Sequence, residues 1–229
     1  MKTYGKDSMW PFSEGSGSTL LIATLGQITA VVLFMIWANI GTGILLFLVS
    51  CIWLLILYFF RDPNRSVINE PGLVIGPGDG EVVEIIKEVE PRYLKEEVIR
   101  ISMFLNITDV HVQRVPFGGR VTLVHHQPGK FLQAFRPEAS DVNEYIAMMT
   151  ESAYGRVLIK QIAGILARRC VNMAQVDDQM TTGQRFGFIK FSSRLDLYLP
   201  TNADILVNIG DKVYGGLTPI AQLSVNSEQ

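Results

Sequence analysis

The sequence predicts a mainly β protein placed behind a transmembrane helical hairpin. Two observations carry that reading. Between Thr19 and Phe60 there is no Asp, Glu, Lys, Arg or His. From Arg61 onward, short runs of apolar or alternating residues recur between corners rich in Gly and Pro, and one stretch alone has helical spacing.

The uncharged stretch comes first. The chain has 229 residues, is 48% hydrophobic and 18% charged, and carries a formal net charge of -2. Its mean hydropathy of +0.25 is high for a soluble domain, and the excess lies between Thr19 and Phe60. A spanning helix needs about 20 apolar residues, so this run accommodates two. Asn39-Ile40-Gly41-Thr42-Gly43 offers a helix-breaking turn, which predicts spans over Thr19–Trp37 and Gly43–Phe60. A signal peptide would have a shorter apolar core and a small-residue cleavage site. A soluble hairpin would keep a charged face. Lys2 and Lys6 precede the first span, Arg61 and Arg65 follow the second, and the turn carries no positive charge. Both ends are therefore expected to face the cytoplasm, at the cell membrane. Residues 1–18, rich in Gly and Ser, read as a mobile cytoplasmic tail.

Residues 61–229 are enough for one core. Strands are expected over Glu81–Val89, Val98–Leu105, Val110–Val115, Arg120–His125, Val157–Gln161, Phe186–Phe191, Leu195–Leu199 and Leu217–Leu223. Corners such as Pro77-Gly78-Asp79-Gly80 and Pro116-Phe117-Gly118-Gly119 separate them. Ile165, Leu166 and Cys170 have helical spacing, so one helix is expected from Ile162 to about Met173. The architecture implied is a β-sandwich, similar to a barrel-sandwich, with one or two helices.

An internal echo supports it. Val176-Asp177-Asp178-Gln179-Met180 leads into Gly183 and Gly187, as Ile209-Gly210-Asp211-Lys212-Val213 leads into Gly215 and Gly216. Such hairpins resemble those of domains that carry lipoyl or biotinyl groups. No Lys stands in a Met-Lys pair at a hairpin tip, which argues against that role. Cys51 and Cys170 do not suggest a disulfide framework. His125 and His126 would point to opposite faces of a strand, and no metal site is expected.

The chemistry gathers near the end of the chain. The apolar run Phe186–Phe191 stops at Ser192-Ser193, and an alternating strand (Leu195, Leu197, Leu199) starts at once. A serine hydroxyl on such a corner can reach the preceding carbonyl carbon and turn an amide into an ester. Elimination then leaves a pyruvoyl group. Most Ser-Ser pairs are simply polar turns, so the pair needs company.

That company is a series of motifs: Phe59-Phe60-Arg61-Asp62-Pro63-Asn64-Arg65, then Gly76-Pro77-Gly78-Asp79-Gly80-Glu81-Val82, then Phe104 to Pro116 with Asp109-Val110-His111-Val112-Gln113-Arg114 at its centre, then Gly118-Gly119-Arg120-Val121. Pro128-Gly129-Lys130-Phe131, Gln161-Ile162-Ala163-Gly164 and Arg185 to Asp196 complete it. In this order they resemble phosphatidylserine decarboxylase in its short, membrane-hairpin form, from about Gly43 to the C-terminus.

The resemblance implies decarboxylation of phosphatidylserine to phosphatidylethanolamine. The cofactor would be a pyruvoyl group derived from Ser193, after self-cleavage between Ser192 and Ser193. Residues 1–192 would then form a long chain and residues 193–229 a short one. His111 is the candidate base for Ser193, and Asp79 is expected to orient it, although an Asx turn is the ordinary role of such an Asp. Lys130, Arg114 and His126 are candidates for holding substrate phosphate or carboxylate. The partner is a serine phospholipid in the membrane, with no nucleic acid. A heterodimer of the two cleaved chains is implied, and an exposed apolar edge would allow a homodimer.

Three positions depart from the family pattern. Ser192 stands where the family has Gly, and a β-carbon there opposes the close approach that the acyl shift needs. Gln127 stands in the His-Pro-Gly-Lys segment, with His126 displaced by one residue. Tyr145 follows Asn143-Glu144, where Arg is usual. A second reading follows from Ser192: an uncleaved relative or trapped precursor that binds lipid headgroups or a partner. A third is decarboxylation of the ether-lipid analogue, archaetidylserine.

Overall fold

In the computed structural model, which describes residues 11–133, 139–164, 170–189 and 193–225, the uncharged stretch folds as α1 (Gly17–Trp37) and α2 (Ile40–Phe59). Both helices are long and apolar enough to cross a membrane, by length and composition. The break between them is shorter than the glycines suggested. Asn39 Oδ1 accepts the Thr42 N–H at 3.0 Å, and Thr42 Oγ1 accepts the Asn39 N–H at 3.2 Å. This capping box starts α2 ahead of Gly41 and Gly43. Polar contacts tie the pair: Gln27 Nε2 donates to Ser50 Oγ at 2.9 Å and Trp53 Nε1 to Thr24 Oγ1 at 3.2 Å. Such bonds suit a setting where water offers no alternative partner. Of the expected tail, residues 1–10 lie outside the described residues, and the Ser13 N–H bonds the Phe60 carbonyl at 2.8 Å.

The chain divides into two compact units, one built on these helices and ending at Pro63, the other from Asn64 onward. The second unit is made of strands: β1 (Leu73–Ile75), β2 (Gly80–Glu90), β3 (Glu96–Leu105), β4 (Val112–Arg114), β5 (Gly119–Gln127), β6 (Tyr145–Ser152), β7 (Gly155–Ala163), β8 (Cys170–Asn172), β9 (Gln179–Met180), β10 (Arg185–Ile189), β11 (Ser193–Pro200), β12 (Asp204–Ile205), β13 (Lys212–Val213) and β14 (Pro219–Gln222), with one helical turn, α3 (Ala139–Val142). An eight-stranded antiparallel sheet runs β13-β2-β3-β11-β7-β6-β5-β9. Two three-stranded sheets, β1-β14-β12 and β4-β10-β8, accompany it.

These orders read the same from both ends, because the unit is a pseudo-twofold pair of interleaved halves. One half is β1–β3 with β11–β14; the other is β4–β10. The echo seen in the sequence is the local trace of this dyad. The Val82 N–H bonds the Asp211 carbonyl at 3.0 Å, and the Val121 N–H bonds the Asp178 carbonyl at 2.8 Å. The Leu223 N–H bonds the Gly72 carbonyl at 2.8 Å, and the Ile189 N–H bonds the His111 carbonyl at 3.3 Å. A Cβ on Gly80 would lie 2.6 Å from the Phe104 carbonyl oxygen, and one on Gly119 would lie 2.3 Å from that of Glu151. Glycine is needed at both strand starts because backbone approaches backbone there. Gly216 (φ +81) and Gly183 (φ +78) are mates as well. The dyad passes beside the Leu197–Ile159 pair of β11 and β7.

The sheet has two differently dressed faces. Leu195, Leu197 and Leu199 enter the main core with Ile101, Met103, Ile159 and Phe186. Tyr198 enters a smaller cluster with Leu94, Val98, Leu158 and Ile162, and strand alternation puts Arg194 and Asp196 on that second side.

The helix expected from Ile162 to Met173 is absent at both described ends. Ile162 and Ala163 continue β7, paired to Arg194 and Ser193, and Cys170–Asn172 form β8; residues 165–169 lie outside the described residues. A short apolar run fits either period, and the free edge of β11 captured the first part of this one.

Candidate active site

Ser193 opens β11, with its backbone paired to Leu105 of β3 on one side and Ala163 of β7 on the other. Its side chain is 0% exposed, and its hydroxyl has no hydrogen-bond partner among the described residues. Burying such a group unpaired costs about 1–3 kcal/mol, so its presence in a well-bonded sheet asks for a functional reason. Ser192 lies outside the described residues.

His111 is buried just ahead of β4. Its Nδ1 lies 2.9 Å from the Asp109 carbonyl oxygen. A carbonyl only accepts, so in the neutral ring Nδ1 carries the proton and Nε2 is the basic nitrogen. The His111 carbonyl accepts the Ile189 N–H from the end of β10, the strand that leads toward Ser193.

Asp79 sits in the tight corner before β2. The corner packs closely: a Cβ on Gly78 would lie 2.8 Å from Leu195 Cδ1. The Asp79 carboxylate takes the Arg65 guanidinium on both oxygens, at 2.5 and 2.8 Å, and the Gly215 N–H at 2.9 Å. These contacts replace the Asx turn, and they do not include His111. Arg65 also donates to the Gly215 carbonyl at 2.7 Å, so it clasps the corner and the loop after β13 together.

A buried amide network backs the site. Gln113 Nε2 donates to the His111 carbonyl at 2.7 Å, Gln161 Nε2 to Gln113 Oε1 at 3.0 Å, and Asn172 Nδ2 to Gln161 Oε1 at 3.2 Å. It joins β4, β7 and β8 and reaches the His111 backbone. Cys170 donates to the Gln161 carbonyl at 3.3 Å. Burial, and then the nearby Glu144 carboxylate, push its thiol far above the ordinary range and keep it neutral.

The substrate candidates divide. Lys130 is exposed, and its backbone brackets Glu144: the Glu144 N–H bonds the Lys130 carbonyl at 2.9 Å. His126 is exposed on β5, with Nε2 3.3 Å from the Glu144 carboxylate. Asn143 links this group to the strand beside Ser193, donating to the Ala163 carbonyl at 2.7 Å. Arg114 differs. It is buried, with Nη1 3.2 Å from the Gly183 carbonyl oxygen and its Cδ against Gly216.

On the second face of β11, Arg194 (2% exposed) donates to Asp196 at 2.7 Å, to Ser102 Oγ at 2.7 Å and to Glu84 at 3.0 Å. Asp196 also accepts the Ser140 hydroxyl at 2.7 Å, and Arg100 joins through Ser102 and Glu84. The residue after Ser193 is thereby pinned from behind. Sequence reading missed Arg65, the amide network and this ionic cluster, because each joins side chains far apart in the chain. Strand alternation placed Arg194 and Asp196 on one face and so gave part of the signal.

A buried hydroxyl without a partner among the described residues, in a unit that also holds a buried imidazole and a clasped acid corner, is suited to intramolecular acyl transfer. The sequence profile of the family described as Phosphatidylserine decarboxylase matches residues 53–221. The chain is 38% identical over 218 residues to a phosphatidylserine decarboxylase proenzyme of Symbiobacterium thermophilum, covering 93% of each chain. It is 44% identical over 175 residues to that of Amoebophilus asiaticus, covering 76% of this chain and 78% of the relative. With the proenzyme of Nocardia farcinica the identity is 45% over 170 residues, 72% of each. Built on these strands and matched over most of its length, the chain belongs to the phosphatidylserine decarboxylase family.

Proposed function

We propose that the chain decarboxylates phosphatidylserine to phosphatidylethanolamine, using a pyruvoyl group made from Ser193 by self-cleavage after Ser192. The observation that carries this reading is the buried Ser193 hydroxyl, partnerless among the described residues, at the start of a strand held on both sides. The residues present fit the group. Position 193 is fully enclosed, β3 and β7 fix its backbone, and Arg194 is anchored behind it.

In maturation, His111 Nε2 accepts the Ser193 Oγ proton and Oγ attacks the Ser192 carbonyl carbon. The C–N bond breaks, the nitrogen takes a proton, and an ester joins the two residues. Loss of the Ser193 Cα proton expels the residue 192 carboxylate from Cβ; water then adds and ammonia leaves. The resulting carbonyl supplies an electron sink for the pair released when carbon dioxide departs. His111 then returns a proton to the substrate carbon. Asp79, clasped by Arg65, keeps the glycine corner against β11. Lys130 and His126, near Asn143, would meet the phosphate and carboxylate of the headgroup, while Arg114 would act from within by holding the Gly183 loop.

In the membrane reading, α1 and α2 span the cell membrane with both ends toward the cytoplasm, beside the lipid substrate. The cleaved pieces remain a heterodimer, since β11 lies between β3 and β7 and β14 beside β1; a homodimer through a sheet edge would add to this. Ser192 supports the second reading, an uncleaved headgroup-binding relative. Intact mass under denaturing conditions separates the two. Two fragments, residues 1–192 and a carbonyl-bearing 193–229, support the enzyme. A single species near 25.5 kDa that Ser192→Gly converts to two fragments assigns the block to that side chain. A single species in both cases overturns self-cleavage. Ester- and ether-linked serine lipids offered to the cleaved form identify the substrate class.

A further inference from the structure

One cavity outside the candidate active site has a volume of about 280 Å³ and is lined by Glu70, Gly72, Phe117, Gly118, Tyr154 and Thr182, among others. The pseudo-twofold identifies it. Gly72 is the mate of His111, because their carbonyls accept from the mated residues Leu223 and Ile189. The corner Pro116-Phe117-Gly118-Gly119 is the mate of Pro77-Gly78-Asp79-Gly80, which makes Gly118 the counterpart of Asp79. The β-sheet register makes Gly155 the counterpart of Ser193, and so Tyr154 that of Ser192. The cavity is the second copy of the active site, with nucleophile, base and acid all replaced.

What remains has its own chemistry. The Tyr154 ring comes close to Gly72: a Cβ on that glycine would be 3.2 Å from Tyr154 Cε1. Phe117 meets Tyr154 edge to face, with ring centroids 5.4 Å apart. The Glu70 carboxylate and the Tyr154 hydroxyl have no hydrogen-bond or ion-pair partner among the described residues. Among the described residues no Lys, Arg or His lines the cavity, so an anion would find no counter-charge from them. Two aromatic rings and a carboxylate lining one cavity supply the groups that recognise an ammonium. The volume admits a headgroup and excludes acyl chains.

We propose that this mate cavity is a non-catalytic binding site for the primary ammonium of a short amino-alcohol headgroup. Glu70 supplies the counter-charge, the Tyr154 and Phe117 rings supply the cradle, and the Tyr154 hydroxyl meets the neighbouring oxygen. The ligand's source is either a lipid headgroup or a free amino alcohol.

The test uses the full chain carrying Ser193→Ala, which cannot process, so binding is read without turnover and apart from the decarboxylase reading. Calorimetric titration with ethanolamine, and separately with bicelles containing phosphatidylethanolamine or phosphatidylcholine, measures occupancy. Saturable binding is expected, weakened roughly threefold to tenfold by Glu70→Gln and by Tyr154→Leu and unmoved by adding His111→Ala. Binding of ethanolamine itself assigns a free amino alcohol; binding of phosphatidylethanolamine bicelles alone assigns the lipid. Glu70 is exposed, so Glu70→Gln should fold normally, as melting temperature will show. No binding of either probe, binding unchanged in both variants, or binding lost with His111→Ala instead overturns the proposal.

Discussion

The two halves of the strand-built unit share strand order, register and turn geometry, yet only one carries the candidate Ser-His-Asp set. Pro77-Gly78-Asp79-Gly80 and Pro116-Phe117-Gly118-Gly119 make the same corner against the same sheet. In the first, Asp79 holds Arg65 and Gly215; in the second, Gly118 has no side chain and its N–H bonds the Thr182 hydroxyl at 2.9 Å. His111 faces a mate that is Gly72, and Ser193 a mate that is Gly155. The comparison separates what the fold requires from what the chemistry requires. Glycines 80 and 119 are shared because both strand starts leave no room for a Cβ, whereas Asp79, His111 and Ser193 occur once.

The sharpest way to break this asymmetry is Ser193→Ala. Mass spectrometry should show an intact chain, and decarboxylation should be absent. His111→Ala comes next, with self-cleavage slowed by about 10²–10⁴ if the imidazole is the base; unchanged kinetics would remove His111 from the reaction. Asp79→Asn strips the carboxylate from the Arg65 clasp and leaves a buried guanidinium uncompensated. A stability loss of about 3 kcal/mol in chemical unfolding is expected, along with slower processing. Gly80→Ala and Gly119→Ala test the shared framework. Each should cost about 1–3 kcal/mol, and a large difference between them would count against the dyad. Arg120→Ala, an exposed change, should shift stability by at most about 0.5 kcal/mol and leave processing intact.

A pH prediction concerns the second face of the sheet. Burial opposes ionisation of Glu90, but the Leu94 and Tyr93 N–H groups and the Lys160 ammonium outweigh it and hold the carboxyl below its ordinary value. A depressed carboxyl contributes stability that is present above its unfolded pKa and lost as pH falls through the folded one. Acid unfolding curves should therefore lose part of their acidic slope in Glu90→Gln.

Much of this fold was legible because alternation in β11 and the apolar runs of β2 and β3 are long enough to show a period. β6 was missed for a physical reason. Tyr145, Ala147, Ile146 and Met148 are buried on both faces, in two different clusters, so its sequence does not alternate. Strands as short as β9, β12 and β13 fall below any periodic window. For the candidate site, motifs pointed to Ser193, His111 and Asp79, whose roles are proposals. The partners of Asp79 were out of reach, because Arg65 and Gly215 come to it only through the closed topology of β1, β13 and β14. The dyad itself showed in the sequence as a single pair of hairpins, since elsewhere the mates share backbone geometry without sharing side chains.

Interleaving has a consequence for timing during synthesis. The first half waits for β11–β14 and cannot close until the last strands leave the ribosome, whereas β4–β10 is continuous in the chain. Ser193 acquires its place between β3 and β7 in that same final step. A chain halted after β10 lacks β11 and with it Ser193. With the proposed self-cleavage at Ser193, completion of the polypeptide sets its timing, and pulse-labelled nascent chains should show no cut before release.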